Sequence, residues 1–147
     1  MDDAEALIER SHSAWAQFVA GDPNPALQLF SHREDVTIGN PFGPFVRGWD
    51  SVSGTVERAV THYREGKLVG SERVVSYVSH DLACFVEVER YRAKVGESDK
   101  MSDVGLRVST VVRREDNGWR IVSRHADPIT DARPAESVIE LGSGQLP

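Results

Sequence analysis

The stretch LACFVEVERYRAKV, residues 82–95, decides the fold because it alternates in the way a half-buried β-strand does. One face of an extended chain here carries Phe85, Glu87, Glu89 and Tyr91, and the other carries Val86, Val88 and Arg90. Similar runs flank it, KLVGSERVVSYVS before it and MSDVGLRVSTVVRR and GWRIVSRHAD after it. The runs are separated by HD, GESDK and EDNG, which suit hairpin turns, so the sequence predicts an antiparallel meander.

Helical patterns come before the strands. Apolar residues recur at helical spacing over residues 3–20, and a short second helix is predicted from Asn24. A third helix is predicted from about residue 50 to Gly66. Between the second and third helices, DVTIGNPFGPFVRG predicts a short strand and an irregular crossover. Helices followed by a meander predict the α+β class.

The size and charge of the chain narrow its organisation and its partners. A chain of 147 residues with 39% hydrophobic residues predicts a single domain, which we expect over residues 1–128, with a C-terminal tail over 129–147. A net charge of −6 disfavours nucleic acid and anionic membrane surfaces as partners. We therefore expect a small organic ligand or another protein, and no nucleic acid or membrane.

The sequence also bears on location and cofactors. The acidic amino terminus lacks the layout of a signal peptide and no apolar run reaches membrane-spanning length, so we expect a cytoplasmic protein. The single cysteine, Cys84, lies in an apolar run and is expected to be a buried structural thiol. The histidines lack metal-ligand spacing, and no P-loop or dinucleotide fingerprint is present. We expect no metal and no cofactor.

The order of elements, the NPFGPFVRG crossover and the ending GWRIVSRHADP resemble the nuclear transport factor 2-like superfamily. Within it, the chain is most similar to the SnoaL-like and ketosteroid-isomerase-like branch, with the association domain of calcium/calmodulin-dependent kinase II as a further relative. The resemblance implies a cone-shaped curved antiparallel sheet wrapped around three N-terminal helices, with a ligand-sized pocket between them, a cystatin-like α+β roll. It also implies a homodimer through the outer sheet face. It implies no single reaction, because members include isomerases, dehydratases, cyclases, hydrolases and non-enzymatic modules.

The crossover departs from the ketosteroid-isomerase pattern at its catalytic position. That branch places a catalytic aspartate where this sequence has Asn40, and a carboxamide cannot act as a general base near neutral pH. By approximate alignment, Thr110 and Trp15 stand at two further positions of that branch's site. We therefore expect no steroid-type isomerisation. Asn40 has two interpretations, a local turn, which we favour, or a ligand contact.

The last run divides into two faces. Trp119, Ile121, Ser123, His125 and Asp127 share one face, and Arg120, Val122, Arg124 and Ala126 share the other. The resemblance turns the Arg124 face toward the cavity. His125 is then expected on the outer face, bridging a dimer interface, an interpretation we favour over catalysis, although a bulge near Ser123 would reverse it. Trp119 and Ile121, with Val86 and Val88, would make the outer face apolar and favour a homodimer.

The resemblance also sets Glu89 in the cavity, where it would face Arg124 either as an internal ion pair or as a substrate clamp. The candidate catalytic residues are Glu89, Arg124 and His125. The candidate ligand-binding residues are Trp15, Asn40, Phe42, Tyr91, Thr110, Val122 and Ala126. Two functions stay open. The first is a small-molecule-binding domain acting as an isomerase, dehydratase, hydrolase or cyclase, by general acid/base chemistry, on a small apolar carbonyl or polyketide-like compound. The second is a non-catalytic ligand-binding or dimeric assembly module.

Overall fold

The structure, a computed structural model, describes residues 3–140. The helices are Asp3–Ala20 (α1), Asn24–Leu27 (α2) and Trp49–Ala59 (α3). The strands are Thr37–Gly39 (β1), Val46–Arg47 (β2), Tyr63–Val78 (β3), Leu82–Val95 (β4), Ser102–Glu115 (β5) and Gly118–Asp127 (β6). Two 3₁₀ turns are found at Val60–His62 and Ala135–Val138. The predicted tail begins after β6, and its last residues, 141–147, lie outside the described residues.

All six strands form one curved, unclosed sheet in the order β2-β1-β6-β5-β4-β3. Neighbours are antiparallel except β1 and β6, which run parallel. The predicted meander corresponds to β3 to β6, and the crossover contributes the two short strands. The predicted α+β class is confirmed. Of the described helices, none is both long and apolar enough to cross a membrane.

Helix α1 covers the inner face of the sheet, contacting β3, β4, β5 and β6. It buries the apolar side of its helical repeat, including Leu7, Ile8, Trp15 and Phe18. The Phe18 ring packs edge-on against Trp15 at 5.0 Å and Tyr63 at 5.6 Å. Each such side chain contributes about 1.5–3 kcal/mol by leaving water. These three rings form part of the wall of the space between helix and sheet.

The third helix ends earlier than its pattern predicts. It stops at Ala59, a 3₁₀ turn follows, and β3 begins at Tyr63, which is buried. Gly66 therefore does not end a helix but lies inside β3. A Cβ atom at this position would overlap the carbonyl oxygen of Val19, so glycine lets the strand approach the end of α1 closely.

A β-bulge in β6 changes the predicted faces. Ser123 pairs with Val111 and Ile121 pairs with Val112, so Val122 is an extra residue in the ladder. One extra residue shifts the alternation of side chains. Nothing in the regular pattern of this run marks the position.

Because of the bulge, both halves of β6 turn their buried residues inward. Trp119 and Ile121 are buried in the core, as are Arg124 and Ala126. The predicted outer position of Trp119 and Ile121 is therefore wrong. The residues after the bulge keep the faces expected for them, with Arg124 inside and the half-exposed His125 outside.

Candidate functional site

A cavity lies between α1, α3, the segment that follows β1 and the inner face of the sheet. Its free volume is about 40 Å³. Most of its wall is apolar or aromatic, including Trp15, Phe18, Val56, Tyr63, Tyr91 and Leu106. Arg124 is the one charged side chain among the described residues that line it.

Arg124 is held by a bidentate ion pair with Glu89. Its Nη1 donates to Glu89 Oε2 at 3.0 Å and its Nη2 donates to Oε1 at 2.8 Å. The two side chains are only 5% and 2% exposed. Glu89 lies on β4 and Arg124 on β6, so the pair bridges over β5 on the inner face. Two parallel bonds fix the plane of the guanidinium.

The pair is charged despite its burial. Burial alone would raise the pKa of Glu89, but the charge and hydrogen bonds of Arg124, together with the Tyr91 hydroxyl, lower it overall. The Tyr91 hydroxyl donates to Glu89 Oε1 at 2.5 Å. Burial, followed by the negative charge of Glu89, raises the pKa of Tyr91 well above its ordinary value. Tyr91 therefore stays protonated as a donor, and Glu89 and Arg124 together carry no net charge.

The guanidinium of Arg124 also stacks on an aromatic ring. Its Cζ lies 4.0 Å from the ring centroid of Trp15, a cation–π contact. The indole Nε1 of Trp15 is buried and, within the described chain, has no hydrogen-bond partner. The bonds to Glu89 leave other guanidinium N–H groups available. Trp15 Nε1 is therefore an unused donor within the described chain.

A second buried carboxylate, Glu87, lies next to Glu89 on the same face of β4. Glu87 Oε1 is 2.7 Å from His12 Nε2, and its Oε2 accepts from Arg73 Nε at 2.8 Å. Arg73 also pairs with Glu5 at 2.8 Å. The hydrogen bond to Glu87 raises the pKa of His12. Burial would raise the pKa of Glu87, but His12 and Arg73 lower it overall.

Single ligand atoms of His12, Glu87 and Glu89 lie within 4.8 Å of one another, close enough for a metal ion. However, Arg73 and Arg124 already bond to these carboxylates, and two guanidinium charges oppose a cation. Sequence reasoning missed this cluster. One signal was present: Ile8, His12 and Trp15 follow helical spacing, which puts His12 on the buried side of α1.

The structure brings most of the candidate ligand-binding residues to the cavity wall. Trp15, Asn40, Phe42, Tyr91 and Ala126 line it together with Arg124. The buried Thr110 pairs with Arg124 across β5 and β6 but is not one of the lining residues described. Val122 is also absent from the described lining, because it is the bulge residue. Asn40 accepts a hydrogen bond from the Phe42 backbone N–H at 2.9 Å, the geometry of a local turn.

His125 is separated from the two other candidate catalytic residues. Its Nε2 lies 3.4 Å from Asp127 Oδ2, and its ring lies 5.4 Å from that of Phe45. Arg107 holds Asp127 from the neighbouring strand. The sheet therefore stands between His125 and the Glu89–Arg124 pair, and the three residues do not form one constellation.

Solved structures with this fold are similar to the chain at low identity. A ketosteroid isomerase-like protein from Erwinia carotovora atroseptica SCRI1043 has a TM-score of 0.72 at 13% identity, over 88% of this chain and 95% of that chain. An NTF2-like superfamily protein from Salmonella enterica serovar Typhimurium LT2 has a TM-score of 0.70 at 17% identity, over 92% and 99%. A protein with a cystatin-like fold from Nostoc punctiforme PCC 73102 has a TM-score of 0.66 at 14% identity, over 88% and 90%. These likenesses confirm the predicted fold.

Family membership rests on a separate comparison of the sequence. No curated protein matches the chain. The family model of the SnoaL-like domain matches residues 5–130, from the first turns of α1 to just beyond β6. The predicted resemblance is confirmed over nearly the whole chain. With this match and the curved sheet around α1, the chain belongs to the SnoaL-like domain family.

Proposed function

We propose that this chain is a cytoplasmic small-molecule-binding domain that holds a small, largely apolar carbonyl compound in the cavity, with Arg124 donating to the carbonyl oxygen. The observation that carries the proposal is the buried Glu89–Arg124 pair at the wall of an otherwise apolar cavity. Buried ion pairs add little net stability compared with apolar side chains of similar size. Ligand binding therefore explains the pair better than folding does.

The charge of the site favours a ligand whose hydrogen-bond acceptor is neutral. Glu89 already neutralises Arg124, so a carbonyl oxygen takes a free N–H group without adding net charge. A carboxylate at the same place would put a second anion beside Glu89 in a region of low dielectric constant. The unpartnered Nε1 of Trp15 is a further unused donor on a residue of the cavity wall.

Binding without catalysis fits the described lining best. No carboxylate and no imidazole is found among the described residues that line the cavity. Both oxygens of Glu89 are bonded to Arg124, and Asn40 is not basic. Isomerase, dehydratase, hydrolase or cyclase chemistry at this site would lack the contribution of a positioned base, typically about 10²–10⁴-fold.

A double substitution separates binding from folding. Glu89→Leu with Arg124→Met replaces both charges with apolar groups, so the domain is expected to fold with near-native stability. We expect the native protein to bind 2-butanone or 2-octanone in calorimetric titration and the double variant to lose at least tenfold in affinity. Arg107→Leu, on the outer face, is the matched control and should bind as the native protein does. Equal binding by the double variant would overturn the proposal.

A second candidate, dimeric assembly, is favoured by the outer face of the sheet. Val75, Tyr77, Cys84, Val86 and Val111 are neighbours there, and Tyr77 is exposed. We propose that a second copy covers this row, since a stable interface buries about 1,200–2,000 Å². Light scattering at about 50 μM, a concentration well above the Kd of an ordinary interface, should show a dimer. Val86→Glu should give a monomer and Lys100→Glu should not, and a native monomer would remove this candidate.

A further inference from the structure

The cavity is too small for most ligands. Its volume of about 40 Å³ holds only a few water-sized molecules. Pockets for drug-sized molecules take about 300–1,000 Å³. A surface groove of about 380 Å³ lies on the other side of the crossover, and Asn40, Phe42 and Ala59 belong to the walls of both spaces. Phe42 thus stands between a small inner cavity and a larger outer groove.

The Phe42 ring is held by packing. It is 46% exposed, and its centroid lies 4.8 Å from that of His62 and 5.7 Å from that of Tyr63. Nearly half of the residue is therefore exposed, while its ring packs against these two neighbours. The next residue, Gly43, has no side chain, and a Cβ atom there would meet nothing within 4 Å. As a glycine, Gly43 also has a wider range of allowed backbone conformations than other residues.

The groove is cationic in a chain that is acidic overall. Arg58 lines it, and no acidic side chain does among the described lining residues. The net charge of the whole chain is −6. The guanidinium of Arg58 donates to Thr55 Oγ1 at 3.2 Å, and within the described chain its other N–H groups are left for a ligand. An anionic group on a ligand would complement the positive charge of this groove.

We infer that Phe42 is the gate of the site: a ligand longer than the cavity displaces its ring and extends from Arg124 into the groove, with an anionic end beside Arg58. The ligand class is then an elongated apolar ketone with a carboxylate at its far end. The ketone meets the neutral pair inside, and the carboxylate stays at the solvated cation outside, so no net charge is buried. This inference rests on the proposed function, because it requires a carbonyl at Arg124.

Two methyl ketones of different length test the gate. In the native protein, 2-octanone must displace Phe42, whereas 2-butanone approaches the size that the cavity admits. The affinity for the longer ketone is then reduced in proportion to the fraction of the protein in which the Phe42 ring is already displaced. Phe42→Ala should therefore tighten 2-octanone by about fivefold to tenfold in calorimetric titration and should affect 2-butanone less than it affects 2-octanone. Phe45→Ala, an exposed aromatic of the same segment, is the control and should change neither.

A charged analogue tests the groove. Native protein should prefer 7-oxooctanoate to 2-octanone by about twofold to fivefold, the size expected for an exposed ion pair. Arg58→Gln should remove this preference, and so should high salt. Equal affinity for the two compounds in the native protein would overturn the anionic end.

The outcomes distinguish the gate from the proposed function. If 2-butanone binds in a manner that depends on Arg124 but Phe42→Ala shifts both ketones equally or neither, the gate is wrong and the binding function stands. If neither ketone binds the native protein or Phe42→Ala, both are wrong. Melting temperatures near the native value are expected for the exposed Phe42 and Arg58 variants, so loss of fold does not confuse the comparison.

Discussion

Glu87 and Glu89 are identical residues on one face of β4, yet they lie in different settings. The partners of Glu87 are Arg73 and His12, whose side chains are 31% and 19% exposed. Glu89 pairs with Arg124, which is 5% exposed and lines the cavity. The first carboxylate links α1 to β3 and β4 near solvent. The second fixes the one charged group of the described cavity wall, so the two carboxylates differ in their partners and in the exposure of those partners rather than in residue type.

The largest expected effect comes from removing the cation of the enclosed pair. Arg124→Leu leaves Glu89 buried with only Tyr91 as a donor and should lower the free energy of unfolding by about 3–5 kcal/mol near pH 7. In this variant burial holds the pKa of Glu89 above its unfolded value, so the penalty is absent at low pH and develops as pH rises. Urea unfolding at pH 5 and pH 8 should show the larger loss at pH 8. An equal loss at both values would mean that Glu89 is not left unpaired.

The matched substitution in the cluster of Glu87, Arg73 and His12 should lower the free energy of unfolding by less. Arg73→Leu removes one partner of Glu87 and one of Glu5, but His12 stays bonded to Glu87 and Arg73 is 31% exposed, so we expect a loss of about 1–2 kcal/mol. Urea unfolding under the same conditions measures it. A loss as large as that of Arg124→Leu would erase the proposed difference between the two carboxylates.

Removing a neutral donor from the enclosed pair should have a smaller effect. Tyr91→Phe deletes one hydrogen bond to Glu89 and leaves both bonds from Arg124, so about 1 kcal/mol should be lost. Because Tyr91 stays protonated, the change in melting temperature should be nearly the same at pH 6 and pH 8. A strong pH dependence would show that Tyr91 controls the charge of Glu89.

The smallest effect is expected at His12, and its pH dependence should run the other way. The pKa of His12 is raised above 6.5, so its stabilising charge is fully present below pH 6.5 and is lost as pH rises through the folded pKa. His12→Gln should cost about 0.5–1 kcal/mol at pH 5.5 and almost nothing at pH 9. Chemical unfolding at these two values is the measurement. A cost that grows with pH would contradict the paired imidazolium.

Local pattern was sufficient to predict the main elements. Helix α1 spans the predicted residues 3–20, and the four long strands follow the predicted runs. Both are predictable because the helical and strand repeats of apolar residues can be read from residues that are close in sequence. The end of α3 was predicted too late. Gly66 looked like a helix terminator, but its role depends on the approach of Val19, which is distant in sequence.

The site was only partly predictable for the same reason. Alternation placed Glu89 on a definite face, and the resemblance set it opposite Arg124 as an internal ion pair or a substrate clamp, of which the structure shows the ion pair. The bulge at Val122 depends on the register with β5, so the run itself carries no sign of it. Arg73 lies in a strand with several register shifts, and its contact with Glu87 could not be read from its parity. The cavity volume results from the packing of many distant side chains.

The bulge at Val122 has a consequence for engineering. It separates β6 into a segment that anchors the core through Trp119 and Ile121 and a segment that presents Arg124 and Ala126 to the cavity. The two segments have independent alternation, so exchange of residues 123–127 for the same segment of another member of the fold leaves the anchoring side chains in place. Deletion of Val122 would instead join the two alternations and force one segment to turn outward. The extra residue therefore lets the segment of β6 that lines the cavity be changed separately from the segment that packs in the core.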